Sequence, residues 1–197
     1  MPKVGMEPLR RQAMIDATII EIGAAGTLDV TVSQIARRAG MSSALAHHYF
    51  GSKDQIFLAA MRQILELYRH GVKARVGVAR SPRERILAII NASFAADQFE
   101  REIVAAWLTF YVKALQSPDV KRLLQVYTRR LNSNLMVNLR EIFDAATARQ
   151  VAAGLAAMID GFYIRQALQD TALSQPEVCA LVTDYLNLWL ERWGSRA

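Results

Sequence analysis

Apolar side chains recur at three- and four-residue intervals through most of the chain, and no segment alternates convincingly with a period of two. That spacing belongs to helices. Polar punctuation cuts the pattern into roughly nine of them, at about 7–25, 31–39, 43–49, 53–78, 82–96, 100–116, 118–145, 148–170 and 175–193. Ser81-Pro82, Ser117-Pro118 and Ser174-Gln175-Pro176 mark helix starts. A serine hydroxyl accepts from an orphan N–H there, and proline in the first turn gives up no hydrogen bond. Thr31 with Gln34 three residues on reads as a capping box, and Thr147 opens a further helix. The first three helices are short or medium and those after Lys53 are mostly long. The pattern therefore predicts an all-α chain, with a three-helix headpiece over 1–52 joined by a continuous helix to a larger bundle over 53–197.

Within the headpiece, TVSQIARRAGMSSALAHHYF (31–50) carries one apolar set, Val32, Ile35, Ala36, Ala39, Met41 and Leu45, with Phe50 following. Gly40 is suited to the left-handed backbone that stops a helix, and Ser42 is a natural cap for the next one. Helix, glycine turn and second short helix make a helix-turn-helix, whose second helix can enter a DNA major groove. Such a helix needs short polar groups near its start and longer ones further on, and Ser42, Ser43, Ala44, His47 and His48 meet that need. Thr31 and Lys53 suit phosphate contacts. Spacing alone also admits a tight helical hairpin with no nucleic-acid role.

Composition adds limits. A chain of 197 residues that is 52% hydrophobic can bury one good core, or one core plus a small appended domain. No apolar run reaches the length of a membrane span, and the N-terminus turns charged at once, so no membrane partner and a cytoplasmic location are expected. The net charge of +6 is compatible with a polyanionic partner. The first 54 residues hold a surplus of only one positive charge, so any argument for nucleic acid rests on placement.

The candidate chemistry is sparse. Lone Cys179 forbids an internal disulfide and reads as a small buried residue rather than a redox sensor. His47 and His48 point about 100° apart on a helix and cannot easily share one ion. His70 is the only other histidine, so neither a metal nor a cofactor is expected. There is no glycine-rich phosphate loop, no HExxH and no GxSxG, which counts against an enzyme.

The run TVSQIARRAGMSSALAHHYFGSKDQIF (31–57) resembles the DNA-binding motif of TetR-type transcriptional regulators, with HHYF and SKDQI in place of the family's aromatic-rich end and Ser-Lys start of the fourth helix. A narrower resemblance spans nearly the whole chain. MPKVGMEPLRRQAMIDATI, IARRAGMSSALAHHYF, AAWLTFYVKAL, RRLNSNL and GLAAMIDGFYIRQAL are similar to the BetI-type, choline-responsive repressors of glycine-betaine synthesis. Positions 111 and 163 carry tyrosine where some relatives have tryptophan. The resemblance implies a dimeric repressor of choline uptake and oxidation genes, acting in osmoprotection, that releases a palindromic operator when choline is present. By position it implies operator contacts from Thr31, Ser42, Ser43, Ala44, His47, Tyr49 and Lys53, with His48 turned partly toward the headpiece and Phe50 anchoring the third helix. The arm Lys3–Arg11 is either a further phosphate contact or a solvated terminus.

A quaternary ammonium cannot donate a hydrogen bond, so its site must use aromatic faces, with a carboxylate at longer range. Trp107, Phe110 and Tyr111 lie three and four apart and can share a helix face, and Asp160 and Tyr163 are three apart. Phe94, Asp97, Tyr127, Phe162 and Trp189 form a second tier. Each of these aromatics is equally at home in a bundle core, and Asp160 can pair with Arg130 or Arg165. Small residues at 152, 153, 154, 156 and 157 permit close helix approach, and in TetR-type proteins the last two long helices form the dimer interface. The same faces could be filled within one chain. The resemblance further implies that a ligand moves the fourth helix and changes the spacing of the reading helices, about 34 Å apart on DNA. Two other readings compete: a TetR-type regulator answering to a different cationic or lipophilic ligand, and a helical small-molecule enzyme or carrier.

Overall fold

The computed structural model describes residues 5–95, 100–168 and 173–193. Among them are nine helices and no strand: α1 (Met6–Ala25), α2 (Val32–Arg38), α3 (Ser43–Phe50), α4 (Lys53–Val76), α5 (Pro82–Ser93), α6 (Arg101–Ala114), α7 (Pro118–Leu139), α8 (Ala145–Leu168) and α9 (Gln175–Trp193). The expected all-α class and number of helices hold. None of these helices is long and apolar enough to cross a membrane.

Local signals place most boundaries. The Thr31 hydroxyl accepts from the Gln34 N–H at 3.2 Å and the Gln34 carboxamide accepts from the Thr31 N–H at 2.6 Å, completing the capping box. Ser42 accepts from Leu45 N–H at 3.2 Å and Ser81 from Glu84 N–H at 3.1 Å. At α9 the Glu177 carboxylate takes both the N–H and the hydroxyl of Ser174, at 2.7 and 2.6 Å. Gly40, at φ 67°, makes the turn between α2 and α3.

Two boundaries differ from expectation. The seventh helix ends at Leu139 rather than near 145, and the eighth starts at Ala145 with Asp144 as its cap. The Asp144 carboxylate accepts from the N–H groups of Ala146 and Thr147 at 2.8 and 3.0 Å, so Thr147 sits inside the first turn instead of opening it. A carboxylate satisfies two orphan donors at a helix start, where it also meets the positive end of the helix dipole. Those bonds hold its carboxyl below the usual aspartate range, the Thr147 hydroxyl contributing most. Phe143, buried beside it, anchors the turn.

The chain forms two compact units, residues 1–65 with 101–123, and 66–100 with 124–197. The boundary between them cuts α4 after Leu65 and α7 after Leu123, so it is a different partition from the expected division after residue 52. In the first unit α1 packs on α2 and on α6, and α2 packs on α3. Met14, Ile22, Ile35, Ala46, Ile56, Met61 and Ile64 are buried there, with Val104, Trp107 and Phe110 from α6. In the second unit α9 packs on α5 and α8, and Ile86, Ile89, Leu135, Leu139, Val151, Leu155, Val182 and Leu186 are buried. Each fully buried aliphatic side chain contributes about 1.5–3 kcal/mol to folding.

Candidate nucleic-acid interface and ligand site

The reading surface is held from behind. Ile35 and Ala36 of α2 and Ala46 and Phe50 of α3 are buried, which leaves Ser42, Ala44, His47 and His48 exposed and Ser43 and Tyr49 half-buried. Ala46 was not marked by the sequence pattern. It lies four residues before Phe50, so it is on that residue's inward face. His48 is exposed, with its ring 5.5 Å from that of Tyr49.

His47 has a defined hydrogen-bonding direction. Its Nδ1 lies 3.2 Å from the Gly51 carbonyl oxygen. A carbonyl can only accept, so Nδ1 is the donor here, and in that tautomer Nε2 is an acceptor. The Ser43 hydroxyl donates to Ser33 at 3.0 Å, which ties the start of α3 to α2. Thr31 is exposed at the start of α2, and the Lys53 ammonium lies 5.3 Å from the Phe57 ring centroid.

The basic residues of α1 have a structural task. Arg11 donates to the Tyr49 carbonyl at the end of α3 and stacks over Phe50 with its guanidinium carbon 4.6 Å from the ring centroid. Arg10 reaches the Tyr49 hydroxyl at 3.5 Å. Lys3 lies outside the described residues.

The candidate ligand residues divide between the two units. Trp107, Phe110 and Tyr111 belong to the first, with Trp107 and Tyr111 rings 5.9 Å apart. Trp107 and Phe110 are buried and Tyr111 half-buried. Phe110 lines a cavity of about 210 Å³ with residues of the first turns of α4 and α7. Asp160 and Tyr163 belong to the second unit, as do Phe94, Tyr127, Phe162 and Trp189 of the second tier. The Phe94 ring stacks with Tyr163 at 6.1 Å and meets Phe162 edge-on at 6.1 Å. Tyr127 meets Tyr68 edge-on at 5.5 Å. Trp189 pairs with Tyr185 at 6.3 Å on α9. Asp97 lies outside the described residues.

Polar bonds tie that cluster together through Ser93. Its hydroxyl is 3.2 Å from the Tyr68 hydroxyl, and its carbonyl accepts from Tyr163. Burial pushes the Tyr68 phenol up to about 12; the Ser93 hydrogen bond opposes that shift, and the negative charge of Asp160 adds to it. Tyr68 is thus neutral and within the field of a half-buried carboxylate. Sequence reasoning missed Tyr68 and Ser93. The only trace of Tyr68 was its place in the apolar row Ile64, Tyr68, Val72, which reads as ordinary core. Arg130, one of the expected partners of Asp160, lies close enough to Glu66 to lower its carboxyl, the Arg69 hydrogen bond being the larger cause.

Among the described residues no three His, Cys, Asp or Glu side chains are gathered as a metal site. Cys179 is half-buried and burial raises its thiol, which makes the reactive thiolate scarcer.

Residues 14–60 match the family described as bacterial regulatory proteins of the tetR family, and residues 82–191 match the C-terminal domain of BetI-type transcriptional repressors. Over 194 residues the chain is 53% identical to the HTH-type transcriptional regulator BetI of Rhizobium meliloti, covering 98% of this chain and 96% of that protein. It is 54% identical over 190 residues to the BetI regulator of Brucella melitensis, covering 96% of each. Among solved structures, a transcriptional regulator of Saccharomonospora viridis in complex with choline superposes with a TM-score of 0.81 at 22% identity, over 90% of this chain and 95% of the other. A Rhodococcus transcriptional regulator gives a TM-score of 0.83 at 19% identity, over 95% and 99% of the two chains. At those identities the two structures speak for the fold.

Proposed function

The chain belongs to the TetR family of DNA-binding helix-turn-helix regulators, as a BetI-type transcriptional repressor, and from that premise we propose that it represses genes of choline uptake and glycine-betaine synthesis, with choline as inducer. Its relatives are regulators and not enzymes, which removes the enzyme-or-carrier reading. The observation that carries the choline assignment is the cluster of Tyr68, Phe94, Tyr127, Phe162 and Tyr163 rings with the Asp160 carboxylate, inside or beside the segment that matches the BetI-type domain. Ring faces and one negative charge are the groups that hold a quaternary ammonium, since such a cation offers no N–H. Trp107, Phe110 and Tyr111 of α6, which lie in the first unit, are a separate set of candidate aromatic contacts. The choline bound by the Saccharomonospora viridis regulator supports the same class of ligand.

On the DNA side, residues 1–52 form the proposed reading head and 53–197 the ligand and dimerisation part. Ser42, Ser43, Ala44, His47, His48 and Tyr49 face the major groove, and Thr31 and Lys53 meet phosphates. With Nε2 as acceptor, His47 suits a base amino group, that of adenine or cytosine. A palindromic operator calls for a two-fold dimer, and α8 with α9 is the proposed interface. Leu181 and Leu188, seven residues apart, are 45% and 65% exposed on α9, and Ile164 and Leu168 are exposed on α8. Large apolar groups aligned this way are the usual material of a dimer seam. The proposed location is cytoplasmic.

Choline can release DNA only through a difference in affinity between the two states of the dimer. The deciding measurement is an operator titration followed by fluorescence anisotropy, with and without saturating choline. Unchanged operator occupancy would remove choline as the inducer. A thermal-shift panel of choline, betaine aldehyde, glycine betaine and hydrophobic cations then separates choline from another cationic or lipophilic ligand.

A further inference from the structure

In the first unit α6 lies against α1 with no side chain between them at one point. A Cβ built on Gly23 would stand 2.5 Å from the Glu102 Cα and 2.6 Å from its carbonyl oxygen. Those are backbone atoms, so no side-chain rotation relieves the overlap, and any larger residue must push the two helices apart. Gly23 is helical, so its value here is the missing side chain and not a special backbone conformation.

The other end of α6 is held differently. Lys113 Nζ is 3.8 Å from the Asp54 carboxylate, in the first turn of α4. That turn begins three residues after the end of α3. The pair borders the cavity of about 210 Å³ that Phe57, Phe110, Ser117 and Asp119 also line.

We infer that Gly23 is a positioning residue for operator binding: its bare backbone seats the start of α6 directly on α1, and the Lys113–Asp54 pair latches the end of α6 beside the reading helix. The setting of α6 is thereby built into the geometry in which α3 is presented. A residue that moves α6 outward at position 23 alters the pose of the head without touching any base-reading side chain. The consequence for a dimer is a changed distance between the two reading helices, which an operator detects as half-site spacing.

The test uses the full-length protein and the palindromic operator that wild type selects from a random duplex pool, plus versions with half-sites one base pair closer and further apart. Gly23→Ala is expected to bind the selected operator at least tenfold more weakly and to recover part of that loss on one respaced duplex. Equal loss at every spacing marks a residue needed only for folding and overturns the assignment, as does no loss. Lys113→Met probes the same setting without a core clash and keeps the test alive if Gly23→Ala does not fold. Its spacing preference should shift in the same direction, and an unshifted preference overturns the latch. A double-mutant cycle of Lys113→Ala and Asp54→Ala should show a coupling of about two- to fivefold in operator affinity, the range of an exposed ion pair, and additivity contradicts it. The inference rests on the two-fold reading above, and sedimentation of wild type on the operator separates the two failures. A wild-type monomer overturns both, whereas a wild-type dimer with an indifferent Gly23→Ala overturns this inference alone.

Discussion

The reading head and the aromatic cluster of the second unit are built by opposite means. The bonds internal to the α2–turn–α3 motif span ten residues or fewer: Thr31 with Gln34, Ser42 with Leu45, Ser43 with Ser33, His47 with Gly51. Arg10, Arg11 and Glu21 of α1 reach it from further away. The Asp160 cluster draws Tyr68 from α4, Ser93 and Phe94 from the end of α5, Tyr127 from α7 and Tyr163 from α8. The head is a local object that any chain with this motif can make. The cluster exists only when four distant segments arrive together. One region therefore depends on a short stretch of sequence, and the other on residues spread over four helices.

The largest expected effect breaks the head from behind. Ile35 is fully buried in α2, and Ile35→Ala should lower unfolding free energy by about 2–5 kcal/mol in chemical denaturation. The second effect isolates the ligand end. Asp160→Asn should weaken choline binding by at least tenfold, on the order of 2 kcal/mol for a desolvated cation beside aromatic faces, while operator affinity without ligand stays within twofold. Loss of both together would show that the two regions cannot be separated. The third isolates the reading face. His47→Ala should cost about 1–2 kcal/mol of operator affinity, read by anisotropy, with choline affinity unchanged.

The smallest effect is a matter of acid. Asp144 has its carboxyl depressed in the folded chain by the Thr147 hydroxyl and by backbone N–H groups. A depressed carboxyl stabilises above its unfolded pKa, and that contribution disappears as pH falls through the folded value. Asp144→Asn should therefore flatten the acid limb of a stability-against-pH curve slightly while leaving the neutral plateau almost in place. A steeper acid limb in the variant contradicts the assignment.

These two kinds of construction also explain what could be read in advance. Helix-start chemistry is short-range, so Thr31, Ser42, Gly40 and Ser81 were legible one by one. Where two capping residues competed three positions apart, Asp144 prevailed over Thr147. An ionised carboxylate accepts two backbone bonds at once, and the spacing pattern does not weigh that. Tyr68 was hidden because an aromatic at i+4 from Ile64 looks like core until Ser93 and Asp160 are placed beside it. Phe94, Tyr127 and Phe162 stood only in a second tier for the same reason, since nothing local distinguishes a ring that lines a site from one that fills space.

The first unit has a further consequence, in the order in which the chain is made. It is assembled from residues 1–65 and 101–123, with the start of the other unit synthesised in between. At about 5–20 residues per second, α6 leaves the ribosome some five to twenty seconds after α1. During that interval the bare face of α1 at Gly23 waits uncovered, next to a helix-turn-helix whose caps are already in place. A nascent chain can thus own a finished motif before it owns a finished domain, and the first unit closes only with the arrival of α6.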